Sequence, residues 1–326
     1  GTSASFTINA GTASKLQVLL PGETAAPGTS TGKTGTPTAQ TAGTALSATV
    51  NAVDANWNLV STATQTIAIT STDSAAVLPS NAALVSGTRA FAVTLWTSGT
   101  PTITATVASG SALTANTSTA VTVNKAAQAT LSMSSASSVA FGDTLTLSTS
   151  GGSGSGAVTY AVTTAGTAGC SISGSTLSVT GVAGSTCAVT ATKAADASYL
   201  VATSSAQTIT VATRPITVTA SSPSIAFGAT VSPSVSVTTG TLSGSDAISG
   251  ATYTYVGISG TTYASSTTAP TAVGTYSVTP SVAVFSTGTS SNYTITYAAG
   301  TLTISKAAQA TLSMSSASSV AFGDTL

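Results

Sequence analysis

The stretch KAAQATLSMSSASSVAFGDTL occupies Lys125–Leu145, and the same letters return at Lys306–Leu326. Two identical runs of this length mark an internal repeat, and a repeat sets the architecture of a chain before any single element does. The period is 181 residues, from residue 125 to residue 306. Because the second copy stops inside the repeated unit, we expect the sequence to be a window from a longer array of such units.

Apolar and polar residues alternate on both sides of this stretch. The alternation is clearest in four runs: TLTLST at Thr144–Thr149, TLSVT at Thr176–Thr180, QTITV at Gln207–Val211 and TLTIS at Thr301–Ser305. A period of two places leucine, isoleucine and valine on one face of a strand and serine or threonine on the other, which predicts half-buried antiparallel strands. Turn residues separate the runs at intervals of roughly 8–12 residues, which is typical of a β-sandwich or barrel. The sequence therefore predicts an all-β fold.

Possible domain edges come from runs that resemble a last strand, each followed closely by a new opening strand: Ser5–Asn9, Ala120–Asn124, Gln207–Val211 and Thr301–Ser305. They divide the chain into the last strand of a preceding domain (1–10), three complete domains (11–124, 125–212 and 213–305) and the start of the next repeat (306–326). We call the three complete domains the first, second and third segments. Their connections are short and lack a flexible spacer, so we expect a stiff, rod-like array.

The composition excludes several classes of function. Charged residues make up 4% of the chain, with Lys+Arg 7 against Asp+Glu 7, and there is no histidine. This balance leaves no basic surface for nucleic acid or a membrane, and no apolar run is long enough for a membrane-spanning helix. Without histidine, neither a Ser-His-Asp triad nor a histidine metal site can form. We therefore expect a protein that is not an enzyme and holds no cofactor.

A family resemblance is carried by four parts of the third segment: Tyr263, APTAVGTYSV at Ala269–Val278, NYTITY at Asn292–Tyr297 and GTLTI at Gly300–Ile304. Through these residues, 213–305 resembles an MBG domain, a bacterial module that occurs in tandem in large secreted proteins. The resemblance covers most of the third segment.

The other two segments resemble other bacterial families. The second is similar to bacterial immunoglobulin-like repeats through VAFGD at Val139–Asp143, the pair Cys170 and Cys187, and ADASY at Ala195–Tyr199. The first is similar to invasin-type bacterial immunoglobulin-like domains through VNAVDANWN at Val50–Asn58 and SGTRAF at Ser86–Phe91. Together these families imply tandem immunoglobulin-like antiparallel β-sandwich domains in a secreted or cell-surface protein.

The chain has two cysteines, Cys170 and Cys187, and both lie in the second segment. In a cytosolic protein they could be free thiols. A Ser/Thr-rich β-repeat chain is instead typical of secreted proteins, in which a disulfide forms and persists. We therefore predict a Cys170–Cys187 disulfide, which would contribute about 3 kcal/mol in the chain-entropy model.

One short motif relates the second and third segments. Val139-Ala-Phe-Gly-Asp143 recurs as Ile225-Ala-Phe-Gly-Ala229. An apolar pair followed by glycine fits a strand that ends in a turn. We expect Phe141 and Phe227 to cap the cores of their domains.

Candidate binding residues have a structural alternative in each case. Asp54 with Asn56 and Asn58 offers oxygen ligands for calcium, but the same pattern describes a strand that enters a turn. Six tyrosines fall in the third segment and could stack on a sugar: Tyr253, Tyr255, Tyr263, Tyr276, Tyr293 and Tyr297. Because tyrosine suits strands and fills sandwich cores with its hydroxyl at the rim, we favour the core interpretation. We also assign Trp57 and Trp96 to the core of the first segment.

Modification sites are weaker candidates. Asn116-Thr-Ser and Asn292-Tyr-Thr are glycosylation sequons, which we expect to be silent. Lys15 and Asn124 lie on the first and last strands of one segment, as the partners of an intramolecular isopeptide bond do. That bond would also need a buried acid, and Asp54 or Asp73 would have to serve.

Three functions remain open. The first is a structural segment of a long repetitive extracellular protein that forms a cell-surface fibre, filament or stalk, self-associating because few charges repel neighbouring copies. The second is an adhesin-type module that contacts glycan or a host surface. The third is a spacer linked to a catalytic domain elsewhere in a longer chain.

The two ends of the sequence cannot bury an apolar face by themselves, because a lone strand has no partner sheet. Phe6 and Ile8 at one end, and Val320, Phe322 and Leu326 at the other, would be left in water. Either the chain continues at both ends or neighbouring copies complete each other by strand addition. We expect continuation.

Overall fold

The computed structural model describes residues 9–313 and 322–323. Strands dominate these ranges, which contain no α-helix and a short 3-10 turn at Ser290–Asn292. The predicted all-β fold is confirmed. Within the same ranges, no helix is long and apolar enough to cross a membrane. The closing strand predicted at Ser5–Asn9 and four of the apolar end residues lie outside the described residues, whereas Phe322 is described and exposed.

The packing of the backbone divides the chain into two compact units. The first unit runs to residue 134 and adds 147–161 and 190–206, and the second comprises 135–146, 162–189 and the residues from 207 onward. The second segment therefore contributes to both units.

The strands of the first segment are β1 (Lys15–Leu19), β2 (Glu23–Ala25), β3 (Lys33–Gly35), β4 (Gln40–Thr41), β5 (Ala45–Val53), β6 (Thr66–Ser71), β7 (Ala82–Ala83), β8 (Thr88–Thr94), β9 (Ile103–Ser109), β10 (Asn116–Thr117) and β11 (Val123–Asn124). One sheet has the order β1-β5-β8 and a second has the order β10-β9-β6-β7. A single core cluster joins Val18 and Val50 of the first sheet to Ile67 and Ile103 of the second, all fully buried. The alternation thus produces a two-sheet sandwich.

The strands of the second segment are β12 (Leu131–Met133), β13 (Ser138–Ala140), β14 (Thr144–Thr146), β15 (Thr149–Gly151), β16 (Val158–Thr164), β17 (Ser171–Ser173), β18 (Thr176–Ser178), β19 (Thr186–Lys193), β20 (Ala202–Thr203) and β21 (Gln207–Ala212). The single strand predicted at Thr144–Thr149 is wrong. The chain pairs with β18 as far as Thr146 and then leaves to pair with β12 from Thr149. Alternation continues across this change of partner, so the pattern alone could not locate it.

The strands of the third segment are β22 (Arg214–Ala220), β23 (Ser224–Ala226), β24 (Val235–Thr239), β25 (Ala247–Ile258), β26 (Gly274–Thr287), β27 (Tyr293–Ala298) and β28 (Gly300–Ser305). They form two sheets, β24-β22-β27 and β23-β28-β26-β25. The hairpin strands β25 and β26 have 12 and 14 residues, so β25 equals the longest turn spacing that the sequence predicted and β26 exceeds it. Register shifts between Ala247 and Thr252 give β25 the irregularity that lets so long a strand follow the twist of the sheet.

The last strand of each segment departs from the antiparallel prediction, because each pairs in parallel with an early strand of its own segment. These pairs are β11 with β4, β21 with β13 and β28 with β23. In each case the backbone N–H of the residue after the early strand donates to the carbonyl of the last residue of the late strand, and the donor–acceptor pairs are Ala42–Asn124, Phe141–Ala212 and Phe227–Ser305. We call this recurrent contact the closing turn.

A glycine follows each donor of the closing turn, and its φ is positive: 79° at Gly43, 76° at Gly142 and 87° at Gly228. A residue with a Cβ is strained in this conformation, so the turn requires glycine. The short Phe-Gly motif that relates the second and third segments is therefore the sequence signal of the closing turn.

Candidate functional sites

A disulfide joins Cys170 and Cys187, the two cysteines that the sequence singles out, with an S–S distance of 2.01 Å. Cys187 is 2% exposed and lies in β19, opposite Ile209 of β21. Cys170 immediately precedes β17. The bond therefore ties the irregular chain before β17 to a strand of the sheet, and the described part of the chain contains no free cysteine.

Asp54 is buried and organises a loop of the first segment. Its carboxylate accepts hydrogen bonds from the backbone N–H groups of Gly11, Asn56 and Asn58, and from the Asn58 side-chain amide. The Asn58 amide, followed by the N–H of Gly11, lowers the pKa of the Asp54 carboxyl from 3.8 to about 2. Because both oxygens already accept donors from the chain, the arrangement supports the turn interpretation and gives no support to a calcium site.

Asp73 and Asp196 hold two further loops in the same way. Burial would raise the pKa of the Asp73 carboxyl, but the N–H and hydroxyl of Thr97 and the N–H groups of Trp96 and Ala75 together lower it. The N–H groups of Ser198, Ser155 and Tyr199 lower the pKa of the Asp196 carboxyl. Each carboxylate thus stabilises a loop as the charged form, and the described residues contain no cluster of histidine, cysteine and acidic side chains able to hold a metal ion.

These three carboxylates predict a specific acid dependence of stability. A carboxyl group whose pKa is lower in the folded protein than in the unfolded chain stabilises the fold at every pH above its unfolded-state pKa. This contribution is lost as the pH falls from the unfolded-state pKa through the folded-state pKa. For Asp54 the window runs from 3.8 down to about 2. The midpoint temperature of thermal unfolding should therefore change little between about pH 5 and 8, where no histidine titrates. It should decrease when the pH is lowered below about 4.

Circular dichroism melts from pH 2 to pH 8 check this expectation. The Asp54→Asn variant should melt at a lower temperature at neutral pH and should lose less on acidification than the parent protein. A parent midpoint that stays constant down to pH 2 would contradict the assignment.

Lys15 and Trp57 form a surface contact with each other. The sequence had suggested Lys15 as an isopeptide partner and Trp57 as a core residue. The Lys15 ammonium group lies 3.5 Å from the centre of the Trp57 ring and donates to the Ala55 carbonyl. Trp57 is half-buried with a φ of 68°, so its assignment to the core is wrong: the loop ordered by Asp54 turns the indole toward the lysine. Asn124 lies exposed on β11, in a different sheet from Lys15, and the isopeptide hypothesis gains no support.

Both sequon asparagines already have structural partners. The Asn116 side-chain oxygen accepts the N–H of Val18 in the first segment. Asn292 is 4% exposed, and its side-chain oxygen accepts the N–H of Ala183. Attachment of a glycan to the Asn292 nitrogen would require this buried side chain to become exposed, whereas the Asn116 contact uses the side-chain oxygen and does not occupy the nitrogen that a glycan would join.

The tyrosines of the third segment do not form an exposed platform. Tyr255, Tyr276 and Tyr293 are at most 6% exposed, and the other three are half-buried. Four of the hydroxyls, those of Tyr263, Tyr276, Tyr293 and Tyr297, form hydrogen bonds with chain atoms, as in the donation from Tyr276 to the Ala272 carbonyl at 2.7 Å. The core interpretation is confirmed, and the sugar-stacking alternative loses the surface on which it depended.

The first and second segments meet in a packed contact, the first joint. The rings of Trp96 and Tyr199 are 6.4 Å apart, and the N–H of Ser98 donates to the Ala197 carbonyl at 3.0 Å. Asp73 accepts the N–H of Trp96 on one side of the joint, and Asp196 accepts the N–H of Tyr199 on the other. Trp96 is half-buried against this neighbour, so its assignment to the core is also wrong.

The second and third segments meet in a larger contact, the second joint. Phe141 packs edge-on against Tyr293, with ring centres 5.8 Å apart, and Phe285 stacks on the same tyrosine at 5.4 Å. Tyr293 donates its hydroxyl hydrogen to Asp246 at 2.6 Å and accepts the N–H of Ser243. Burial, followed by the hydrogen bond to Asp246, raises the pKa of the Tyr293 hydroxyl.

Polar contacts also cross the second joint. The Arg214 guanidinium pairs with Asp143 at 2.9 Å and donates to the Phe141 carbonyl at 3.1 Å, and Asn292 accepts the N–H of Ala183. Phe141 therefore packs against the following segment. The prediction that it caps the core of its own segment is wrong. Phe227 is 56% exposed, so the same prediction is wrong for it as well.

Sequence reasoning missed the joint residues because a joint is made by side chains far apart in the chain. One signal was available. Tyr199 ends the run Asp196-Ala-Ser-Tyr199 and Tyr293 ends Ser290-Ser-Asn-Tyr293, so each joint tyrosine follows a short polar turn. Each also lies beside the start of its segment, since Tyr199 bridges to Ala126 and Tyr293 pairs with Arg214, both in parallel.

Comparison with known families bears on the third segment. Residues 216–303 match the family model of the MBG domain, YGX type. The resemblance predicted for the third segment is thereby confirmed, and we call this segment the MBG segment from here on. Tyr293 and Asn292, which contribute to the second joint, lie within the matched range.

Comparison with whole proteins adds little to the match of the MBG segment. No curated protein is significantly similar to the chain. Similar solved structures include FdeC, an Escherichia coli adhesin (15% identity, 91% of this chain and 100% of that chain, TM-score 0.26), and Drosophila N-cadherin EC1-4 (9%, 74% and 68%, TM-score 0.22). A third is a set of fibronectin(III)-like modules of CbhA from Clostridium thermocellum (15%, 60% and 94%, TM-score 0.20). These TM-scores are too low to carry an argument about function.

Proposed function

We propose that this chain is a stiff structural segment of an extracellular or cell-surface bacterial protein, in which 11–124, 125–212 and 213–305 are successive β-domains. The observation that carries the proposal is the second joint, where an aromatic cluster, an ion pair and a buried amide connect consecutive segments in place of a flexible linker. Inter-segment contacts of this kind restrict the relative motion expected between independent domains. The MBG match supports a surface or secreted location.

A mechanical role also agrees with the chemistry of the chain. The acids at Asp54, Asp73 and Asp196 are occupied by loop N–H groups, and no ionisable side chain lies between Asp246 and Lys306 except tyrosine hydroxyls. We therefore propose that the segment is not catalytic and works by holding its two ends apart. With so few charges, copies of the chain repel each other weakly, which favours self-association along their sides.

Direct adhesion to glycan or to a host surface is the alternative. Its motivating observation, the cluster of tyrosines, is now accounted for by the core of the MBG segment and by the second joint. We therefore rank this function below the structural one.

Distance measurements between spin labels test the stiffness. Cysteines introduced at Val85→Cys and Val201→Cys place exposed labels on the first and second segments, since both valines are more than half exposed, and the native cysteines are already paired. The parent protein should give a narrow distance distribution, and Trp96→Ala should broaden it. Val77→Ala, at another exposed valine of the first segment, is the matched control and should leave the distribution narrow. A broad distribution in the parent protein would refute the proposal.

A further inference from the structure

We propose that the end of the MBG segment around Phe227 is a docking surface for a further β-domain of the same kind as residues 125–212. This inference rests on the proposed structural function, because it extends the series of joints by one. The surface lies at the closing turn, which is built in the same way in all three segments.

Phe141 and Phe227 occupy equivalent places. Each follows an early strand that pairs in parallel with the last strand of its segment, and each donates its N–H to the last residue of that strand, at 2.9 Å and 2.8 Å. Phe141 is covered by Tyr293 of the following segment. No ring among the described residues covers Phe227 in this way: it is 56% exposed and borders a cavity of about 120 Å³ that Ala229, Thr271 and Ile304 also line.

The second joint contains one acidic and one basic residue, and alanine stands at both of the corresponding positions near Phe227. Asp143 lies two residues after Phe141, and its partner Arg214 lies two residues after Ala212, where the last strand ends. The corresponding positions are Ala229 and Ala307. Loss of one charge alone would leave an unpaired ion in an interface, whereas loss of both leaves an apolar surface that is consistent with docking.

The chain itself indicates what occupies this surface. Ser305 is fixed beside Phe227 by the closing turn, so residues that follow it emerge at the docking surface. From Lys306 they repeat the start of the second segment. In the first copy Ala126 packs against the core of the first segment, and Leu131 is 3% exposed.

The second segment also supplies the aromatic partner that Phe227 lacks. Tyr199 lies beside Ala126 and packs against Trp96 of the preceding segment. A domain with the sequence of residues 125–212, placed after Ser305, would bring the equivalent tyrosine to the same end of the MBG segment. The expected joint therefore places a tyrosine against Phe227, just as Tyr199 packs against Trp96 in the first joint and Tyr293 packs against Phe141 in the second.

The test extends the full chain by appending the sequence of residues 146–212 after Leu326, which completes the second copy. Phe227→Cys is introduced into both the original and the extended chain, and the rate of labelling by a thiol reagent is measured. Since a covered thiol reacts only when its cover opens, labelling should slow by about tenfold or more on extension. Val85→Cys, an exposed site on the first segment, should be labelled at the same rate in both chains.

Formation of the disulfide in the appended copy reports whether it has folded. Equal labelling of Phe227→Cys in an extended chain whose appended cysteines are paired would overturn the proposal, and so would failure of the complete copy to fold at this position. A second measurement needs only the original chain: Phe141→Cys should be labelled about tenfold more slowly than Phe227→Cys, and equal rates would refute the equivalence. The spin-label distances between the first and second segments do not involve Phe227, so failure here is distinguishable from failure of the stiff-segment proposal.

Discussion

Replacement of Tyr293 by alanine is expected to lower the free energy of unfolding of the MBG segment by about 3–5 kcal/mol, the usual cost of removing a buried aromatic ring. Tyr293 is 6% exposed and contacts both Phe141 and Phe285. Its loss also leaves Asp246 and the N–H of Ser243 without their partner. Denaturant unfolding followed by tyrosine fluorescence measures the change.

The same substitution should loosen the second joint, which is a separate effect. Spin labels at Val182→Cys and Val282→Cys, both at exposed valines, report on the second and MBG segments. Tyr276→Ala is the matched control, because Tyr276 is 1% exposed in the other core cluster of the MBG segment. It should destabilise the segment by a similar amount while the label distances stay narrow. If Tyr293→Ala also left the distances narrow, the aromatic cluster would not be what stiffens this joint.

Removal of the disulfide is expected to produce the second large effect. The Cys170→Ala, Cys187→Ala double variant should lose about 3 kcal/mol of stability, because the bond closes a loop between residues 17 positions apart and limits the unfolded chain. Alanine is preferred to serine, since position 187 is buried and a hydroxyl there would be desolvated. Guanidinium unfolding of the parent and double variant measures the difference.

A reductant provides the control for the disulfide. Reduction should lower the unfolding midpoint of the parent protein toward that of the double variant and should leave the double variant unchanged. An unchanged midpoint in the reduced parent, with both thiols shown to be free, would contradict a stabilising role for the bond.

Much of the fold could be predicted from local sequence. Alternation in runs such as Gln207–Val211 and Thr301–Ser305 predicted strands that the structure contains as β21 and β28, because the period of two is a property of the strand itself. The Phe-Gly motif predicted a turn, since glycine adopts without strain the positive φ found at Gly142 and Gly228. Cys170 and Cys187 had one possible partner each within the chain.

The partners of these elements could not be predicted in the same way. Alternation specifies which side chains share a face and says nothing about the strand that lies alongside, so the parallel pairing of β28 with β23 was missed. Likewise, the break after Thr146 lies inside an unbroken alternating run, where the chain exchanges one partner strand for another.

By itself, the sequence determined the all-β class, the turns at the two Phe-Gly motifs and the identity of the MBG segment, because all three depend on residues close together in the chain. Tertiary structure alone decided which aromatic side chains stabilise a core and which form a joint. Phe141 and Phe227 lie in the same motif, yet the first packs against Tyr293 and the second is 56% exposed. Burial is set by what covers a side chain, and the cover comes from residues distant in sequence.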